Sequence, residues 1–189
     1  MRIISIIKSK GWSSYDVVRY LKKKFQEKKI GHLGTLDPIA TGVLPIFMGK
    51  ATRLIPFFNN VDKTYHVVCK LGISTDTFDA EGLVTKECDI LNLSSNLIIR
   101  ALYSFQGEKK QIIPPFSAAK FNGIPYYKLS RKGFKVPIKY RSVKFYELKI
   151  DKIELPFIHF SVKCSKGTYI RSMVNDLGMM LKVGAHITE

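Results

Sequence analysis

Ile158-His159-Phe160-Ser161-Val162-Lys163-Cys164 alternates apolar and polar side chains without a break. That period of two marks a strand with one buried face. Gly167 then interrupts the chain, and Ile170, Met173, Val174, Leu177 and Leu181 recur at helical spacing. Working outward, Val143 to Ile150 and Tyr65 to Leu71 read as further strands, and residues 2–7 as a short buried one. Ser13 and Asp16 form a capping box that starts a helix with Val17, Val18, Leu21 and Phe25 on its apolar face. Ser94 or Ser95 caps a second helix carrying Leu97, Ile98, Ala101, Leu102 and Phe105. Gly31 and Gly34 punctuate a loop, Gly42 to Met48 is an apolar segment broken by Pro45, and Ser74 to Gly82 is a loop dense in Thr and Asp. Pro114-Pro115 interrupts the next segment, and Tyr126 to Lys132 is a helical turn or two inside a basic loop. Strands outnumber helices and do not alternate with them, so the expected fold class is α+β rather than doubly wound α/β.

With 189 residues, 46% of them hydrophobic, the chain can bury one large core or two small ones. No apolar run approaches the roughly 18 residues that a bilayer span needs, and Lys8 and Lys10 stand where a signal peptide would place its cleavage site. Cys69, Cys88 and Cys164 are odd in number and far apart, and the four histidines show no ligand spacing. A disulfide framework and a zinc site are therefore not expected, and a reducing cytoplasmic location is. The net charge of +16 is unevenly spread. Residues 1–60 carry 11 cations against 3 acids and residues 109–150 carry 11 against 1, whereas residues 61–108 carry 4 against 7. Two basic blocks suit a polyanion, with nucleic acid the leading candidate and a generally lysine-rich surface the alternative.

Asp37 is the only carboxylate between Lys28 and Val61, in Gly31-His32-Leu33-Gly34-Thr35-Leu36-Asp37-Pro38. An Asp-Pro pair is commonly just a turn. The alternative is a nucleophile or base beside a backbone that glycines allow close to a ligand. Arg171 falls in the first turn of the last helix, where the macrodipole disfavours a cation without an anionic partner. Asp37 or a phosphate could be that partner, and an ordinary exposed arginine is the alternative. Tyr65 is by default a half-buried strand aromatic, or else a stacking platform for a base, and His32 is equally ambiguous. Between Lys109 and Lys149 the cations are interleaved with Phe116, Phe121, Tyr126, Tyr127, Phe134 and Tyr140, a mixture suited to unpaired nucleotides. No P-loop, dinucleotide fingerprint or Ser-His-Asp pattern is present.

The Gly31–Pro38 motif and its continuation Ile39-Ala40-Thr41-Gly42-Val43-Leu44-Pro45 resemble the signature of the tRNA pseudouridine synthase B family. Further blocks match in order: Lys63-x-Tyr65; Leu71-Gly72-x-x-Thr75-Asp76-Thr77-x-Asp79-x-x-Gly82; Gln111-x-x-Pro114-Pro115-x-Ser117-Ala118-x-Lys120-x-Asn122-Gly123 with Tyr127 and Arg131; and Ser165 to Arg171. The resemblance implies the pseudouridine synthase fold, a large mixed and mostly antiparallel sheet with flanking helices. It also implies isomerisation of uridine 55 in the T loop of tRNA, with no metal or organic cofactor; the alternative is a tRNA-binding folding chaperone whose catalysis is dispensable or lost. Asp37 would be the catalytic aspartate, Tyr65 would stack on the flipped uracil, and Arg171 would pair with Asp37. His32, Tyr169, Lys8, Gly34, Thr35 and Lys120 would bind substrate. The expected partner is the T arm of tRNA, with no membrane or protein partner, and the expected state is a monomer. Residues 109–150 are expected as a mobile basic RNA-binding loop within one catalytic domain, 1–189. Two departures stand out. Ser9 replaces the proline of the family's early Lys-Pro motif. The chain also stops at Glu189, short of a C-terminal RNA-binding domain, from which weaker tRNA binding is expected.

Overall fold

The computed structural model describes residues 2–58 and 60–189. The chain divides into two compact units, residues 1–61 with Glu189, and residues 62–188.

The first unit holds β1 (Arg2–Lys8), α1 (Ser14–Phe25), β2 (Ile30–His32), β3 (Gly42–Met48), a 3-10 turn (Gly49–Leu54) and the short α2 (Ile55–Phe58). Its sheet has the order β1-β3-β2 and is antiparallel. The capping box forms as expected: Asp16 N–H donates to Ser13 Oγ (3.1 Å) while Ser13 N–H donates to Asp16 (3.0 Å), and these Ser13 bonds lower the Asp16 pKa. Val17, Val18 and Leu21 of α1 bury against Ile30, Leu44, Ile46 and Met48. Phe25, at the end of the helix, stays 42% exposed.

Three expectations change here. Residues 2–7 do form a strand, but it is the outer strand of a small sheet. Ile4 and Ile6 reach the core, while Ile3 and Ile7 are 48% and 70% exposed on the other face. Gly31 lies in β2 rather than in a loop, with Ile55 Cδ1 2.7 Å from where a Cβ would stand. Nor does Pro45 break β3, because it stands opposite Leu33, one residue past the end of β2, so its missing N–H removes no bond within that pairing. The Pro45 carbonyl still accepts from Leu33 N–H (2.9 Å).

The second unit runs β4 (Lys63–Leu71), β5 (Ile73–Thr75), β6 (Val84–Glu87), α3 (Ser95–Tyr103), β7 (Gly107–Ile112), β8 (Lys120–Phe121), β9 (Ile124–Pro125), α4 (Tyr126–Arg131), β10 (Tyr140–Glu154), β11 (Phe157–Cys164), α5 (Ile170–Met180) and β12 (Ala185–Ile187). Its main sheet has the order β12-β4-β11-β10-β7, with every neighbouring pair antiparallel. Ile158, Phe160, Val162 and Cys164 all face the core, as the alternation requires. Ile98, Leu102, Met173 and Leu177 of α3 and α5 join that core. Burying side chains of this size contributes about 1.5–3 kcal/mol each. Leu97, placed on the apolar face of α3 by its spacing, is 48% exposed instead.

The basic stretch 109–150 is not one loop. Its first residues belong to β7 and its last to β10, paired from Tyr140↔Ile112 to Phe145↔Gly107. Between them lie the hairpin β8–β9 and α4. Asn122 (φ +48°) and Gly123 (φ +81°) make the hairpin's two-residue turn, a conformation that Asn-Gly favours. Among the described residues no helix is long and apolar enough to cross a membrane.

Candidate active site

Asp37 is half-buried in a connection whose flanking peptide groups are held by residues at the end of β1, the start of α1 and the segment between them. Ser14 Oγ donates to the Leu36 carbonyl (3.1 Å) and accepts from Leu36 N–H (2.9 Å). On the other side, the Pro38 carbonyl accepts from Gly11 N–H (2.8 Å) and from Lys8 Nζ (3.4 Å). Ala40 N–H closes a turn onto the Asp37 carbonyl (3.0 Å). Lys8 is wholly buried, and its ammonium also donates to the carbonyls of Trp12 (2.6 Å) and Ser9 (3.0 Å). An ammonium turned to main-chain carbonyls ties this loop to the end of β1. His32 ends β2, half-buried, with Nδ1 hydrogen-bonded to the Gly34 carbonyl. Gly34 needs its positive φ of 76° to turn there. Thr35 is exposed.

In the second unit, Tyr65 is half-buried on β4, opposite Val162 and packed on the main core. Tyr169 is the N-cap residue of α5, and its own side chain makes no capping bond. Buried Gln111 of β7 holds the main chain of Tyr169 from both sides. Its Nε2 donates to the Tyr169 carbonyl (2.9 Å), and its Oε1 accepts from Tyr169 N–H (2.8 Å). Two residues on, Arg171 is only 5% exposed, which removes the reading of an ordinary surface arginine. Its Nη1 donates to Thr77 O (2.9 Å) and lies 3.5 Å from Asp79 Oδ2, and its Nη2 donates to Phe116 O (2.9 Å). Asp79 is a carboxylate partner that sequence reasoning did not single out, though it sits in a quoted motif.

Asp79 is placed by the β12 edge. It makes an isolated parallel bridge with Ile187, and Ala80 N–H donates to Ile187 O (3.0 Å). Thr75 Oγ1 donates to the Asp79 carbonyl (2.7 Å), and Asp79 Oδ1 accepts from Glu81 N–H (3.1 Å) and the Thr77 hydroxyl (2.5 Å). Lys120 is exposed on the β8–β9 hairpin. Asp37, His32, Gly34, Thr35 and Lys8 thus belong to one unit, and Tyr65, Tyr169, Arg171 and Lys120 to the other. Among the described residues no three His, Cys, Asp or Glu side chains gather to hold a metal.

Residues 22–170 match the sequence profile of the TruB family pseudouridylate synthase N-terminal domain. Over 186 residues the chain is 44% identical to tRNA pseudouridine synthase B of Geotalea uraniireducens, covering 98% of this chain and 60% of that protein. The corresponding protein of Clostridium acetobutylicum is 48% identical over 183 residues, covering 97% and 63% respectively. The chain therefore spans about three-fifths of the length of these relatives. Among solved structures, a chain of a Cbf5-Nop10-Gar1 complex matches with a TM-score of 0.74 and 31% identity, over 98% of this chain and 46% of that one. A chain of an H/ACA RNP bound to a substrate RNA containing 2′-deoxyuridine matches with a TM-score of 0.71 and 28% identity, over 98% and 44%. With the profile covering most of its length, the chain belongs to the TruB family of pseudouridylate synthases.

Proposed function

We propose that this chain forms pseudouridine in tRNA, at uridine 55 of the T loop. The observation that carries this reading is identity of 44–48% along 97–99% of the chain to relatives named tRNA pseudouridine synthase B. The reaction is an isomerisation. The bond from ribose C1′ to uracil N1 breaks, one from C1′ to C5 forms, and a proton leaves C5 while N1 gains one. No redox partner is required. Asp37 is the nucleophile, acting on C1′ or on the uracil ring, and Arg171 is its cationic partner. Tyr65 stacks on the uracil and helps remove the C5 proton, Tyr169 lines the pocket, and His32 helps hold the nucleotide out of its stack. Gly34, Thr35 and Lys120 contact the RNA. Flipping the uridine costs a few kcal/mol, which phosphate contacts from the basic segments offset. The setting is the cytoplasm.

Modification mapping on an unmodified tRNA transcript tests this, comparing wild type with Asp37→Asn. Pseudouridine at position 55 with wild type and none with the variant is expected. Its absence with wild type overturns the activity, and its persistence in the variant overturns the role of Asp37.

The likeness to chains of H/ACA ribonucleoproteins supports a second reading, in which a guide RNA or protein partner selects the uridine. The higher identity to the tRNA enzymes favours the stand-alone reading, and activity on naked tRNA with no added RNA or protein separates the two.

A further inference from the structure

We propose that the outward face of α1 is a contact surface for RNA outside the flipped nucleotide. The proposal rests on the reading that the chain acts on tRNA. Residues 10–29 contain seven cations (Lys10, Arg19, Lys22, Lys23, Lys24, Lys28 and Lys29) and two acids, Asp16 and Glu27. Both acids are engaged locally. Asp16 is held by the capping box and by Arg19 Nη2 (2.7 Å), and Glu27 accepts from Lys29 N–H (3.0 Å). Among the lysines, Lys10, Lys23, Lys24, Lys28 and Lys29 are exposed.

Aromatic rings stand among these cations. Trp12, Tyr15 and Tyr20 are 42%, 64% and 51% exposed. Trp12 meets Tyr20 edge-on, with ring centroids 5.9 Å apart. Lys24 Nζ lies over the Tyr20 ring at 5.6 Å. Cations that bind phosphate beside rings that stack on bases are the composition of a surface for single-stranded nucleic acid. An anionic membrane fits less well. An interfacial helix inserts its apolar face, and Val17, Val18 and Leu21 of α1 are already spent on the core. The surface is also continuous with the Asp37 connection, through Lys8 to the Trp12 carbonyl and Ser14 to Leu36.

Trp12 is the only tryptophan, so its emission reports on this face. The test titrates unmodified tRNA transcript into the chain across a salt series, for wild type, Lys23→Ala/Lys24→Ala and Lys23→Arg/Lys24→Arg. Each lost phosphate contact lowers the slope of log affinity against log salt by about 1. The alanine pair is therefore expected to bind with a slope about 2 shallower, and the arginine pair to keep the wild-type slope. A wild-type slope in the alanine pair overturns the proposal. So does loss of binding to anionic vesicles in that pair with tRNA binding intact, which would assign the face to lipid. If wild type binds tRNA in this way but forms no pseudouridine, the catalytic reading fails and the surface stands.

Discussion

Ser14 Oγ bonds both sides of one residue, donating to the Leu36 carbonyl at 3.1 Å and accepting from the Leu36 N–H at 2.9 Å. The peptide group that precedes Asp37 is thereby fixed to the first residue of α1, which buries Ser14 to 2% exposure. Ser14→Ala removes both bonds without harming the helix, since alanine is the best helix former. On the proposed mechanism, a carboxylate misplaced by about 1 Å can cost about a hundredfold in rate. Single-turnover pseudouridine formation is expected to slow by about ten- to a hundredfold with tRNA saturating, and Ser14→Thr to recover part of it. An unchanged rate in the alanine variant would remove Ser14 from the positioning of Asp37.

Much of the architecture was legible because it rests on local periodicity. The alternation at 158–164 put four side chains into the core, and the capping box at Ser13 placed the start of α1. What was missed depends on partners distant in sequence. Nothing local shows that β1 would be an outer strand, so Ile3 and Ile7 read as core when only one face is covered. The extent of β7 and β10 at the ends of the basic stretch comes from pairing across more than 25 residues, which composition does not record. At the candidate site, the macrodipole argument required an anion for Arg171 but could not select Asp79, which arrives on a turn docked at β12. The burial of Lys8 was not legible, because only the fold shows three main-chain carbonyls around its ammonium.

Arg171 reaches two carbonyls with different nitrogens, Thr77 O through Nη1 and Phe116 O through Nη2. A lysine offers one compact ammonium and cannot reproduce that fork. Hydrogen bonds from a charged donor are worth about 1.5–3 kcal/mol. Arg171→Lys is therefore expected to lose about that much in urea denaturation, and to make the 113–117 segment more open to proteolysis. Stability equal to wild type would show that the fork carries little.

Gly178 lies within α5, where replacement of glycine by alanine ordinarily stabilises a helix by about 1 kcal/mol. Here the sign reverses. A Cβ at this position would run into the backbone of Gly184 and Ala185, and the Gly178 carbonyl accepts from Val183 N–H (3.1 Å) and Gly184 N–H (3.0 Å). Those bonds return the chain from α5 into β12, so the helix cannot simply move aside. Gly178→Ala is expected to destabilise by about 1–3 kcal/mol through overpacking, read as a lower thermal midpoint by circular dichroism. A raised midpoint would mean that β12 yields more easily than its bonds indicate.

Cys69 is fully buried on β4, and burial pushes its thiol from 9.0 up to about 12. Burial likewise raises Cys164, whereas Cys88 is only half-buried. The folded state therefore holds the Cys69 proton that the unfolded chain releases near pH 9. Below that pH its contribution to stability is complete. As pH rises from about 9 towards 12, the unfolded chain gains from ionisation that the folded chain is denied, and stability falls. One such group gives at most about 1.36 kcal/mol per pH unit. Urea denaturation between pH 9 and 11 is expected to show a shallower decline in Cys69→Ala than in wild type, by up to that slope, because tyrosines and lysines titrate in both. At neutral pH, one thiol should react promptly with an aromatic disulfide reagent, and the other two only on unfolding. Prompt reaction of all three would show that the β4–β11 core opens far more readily than its burial implies.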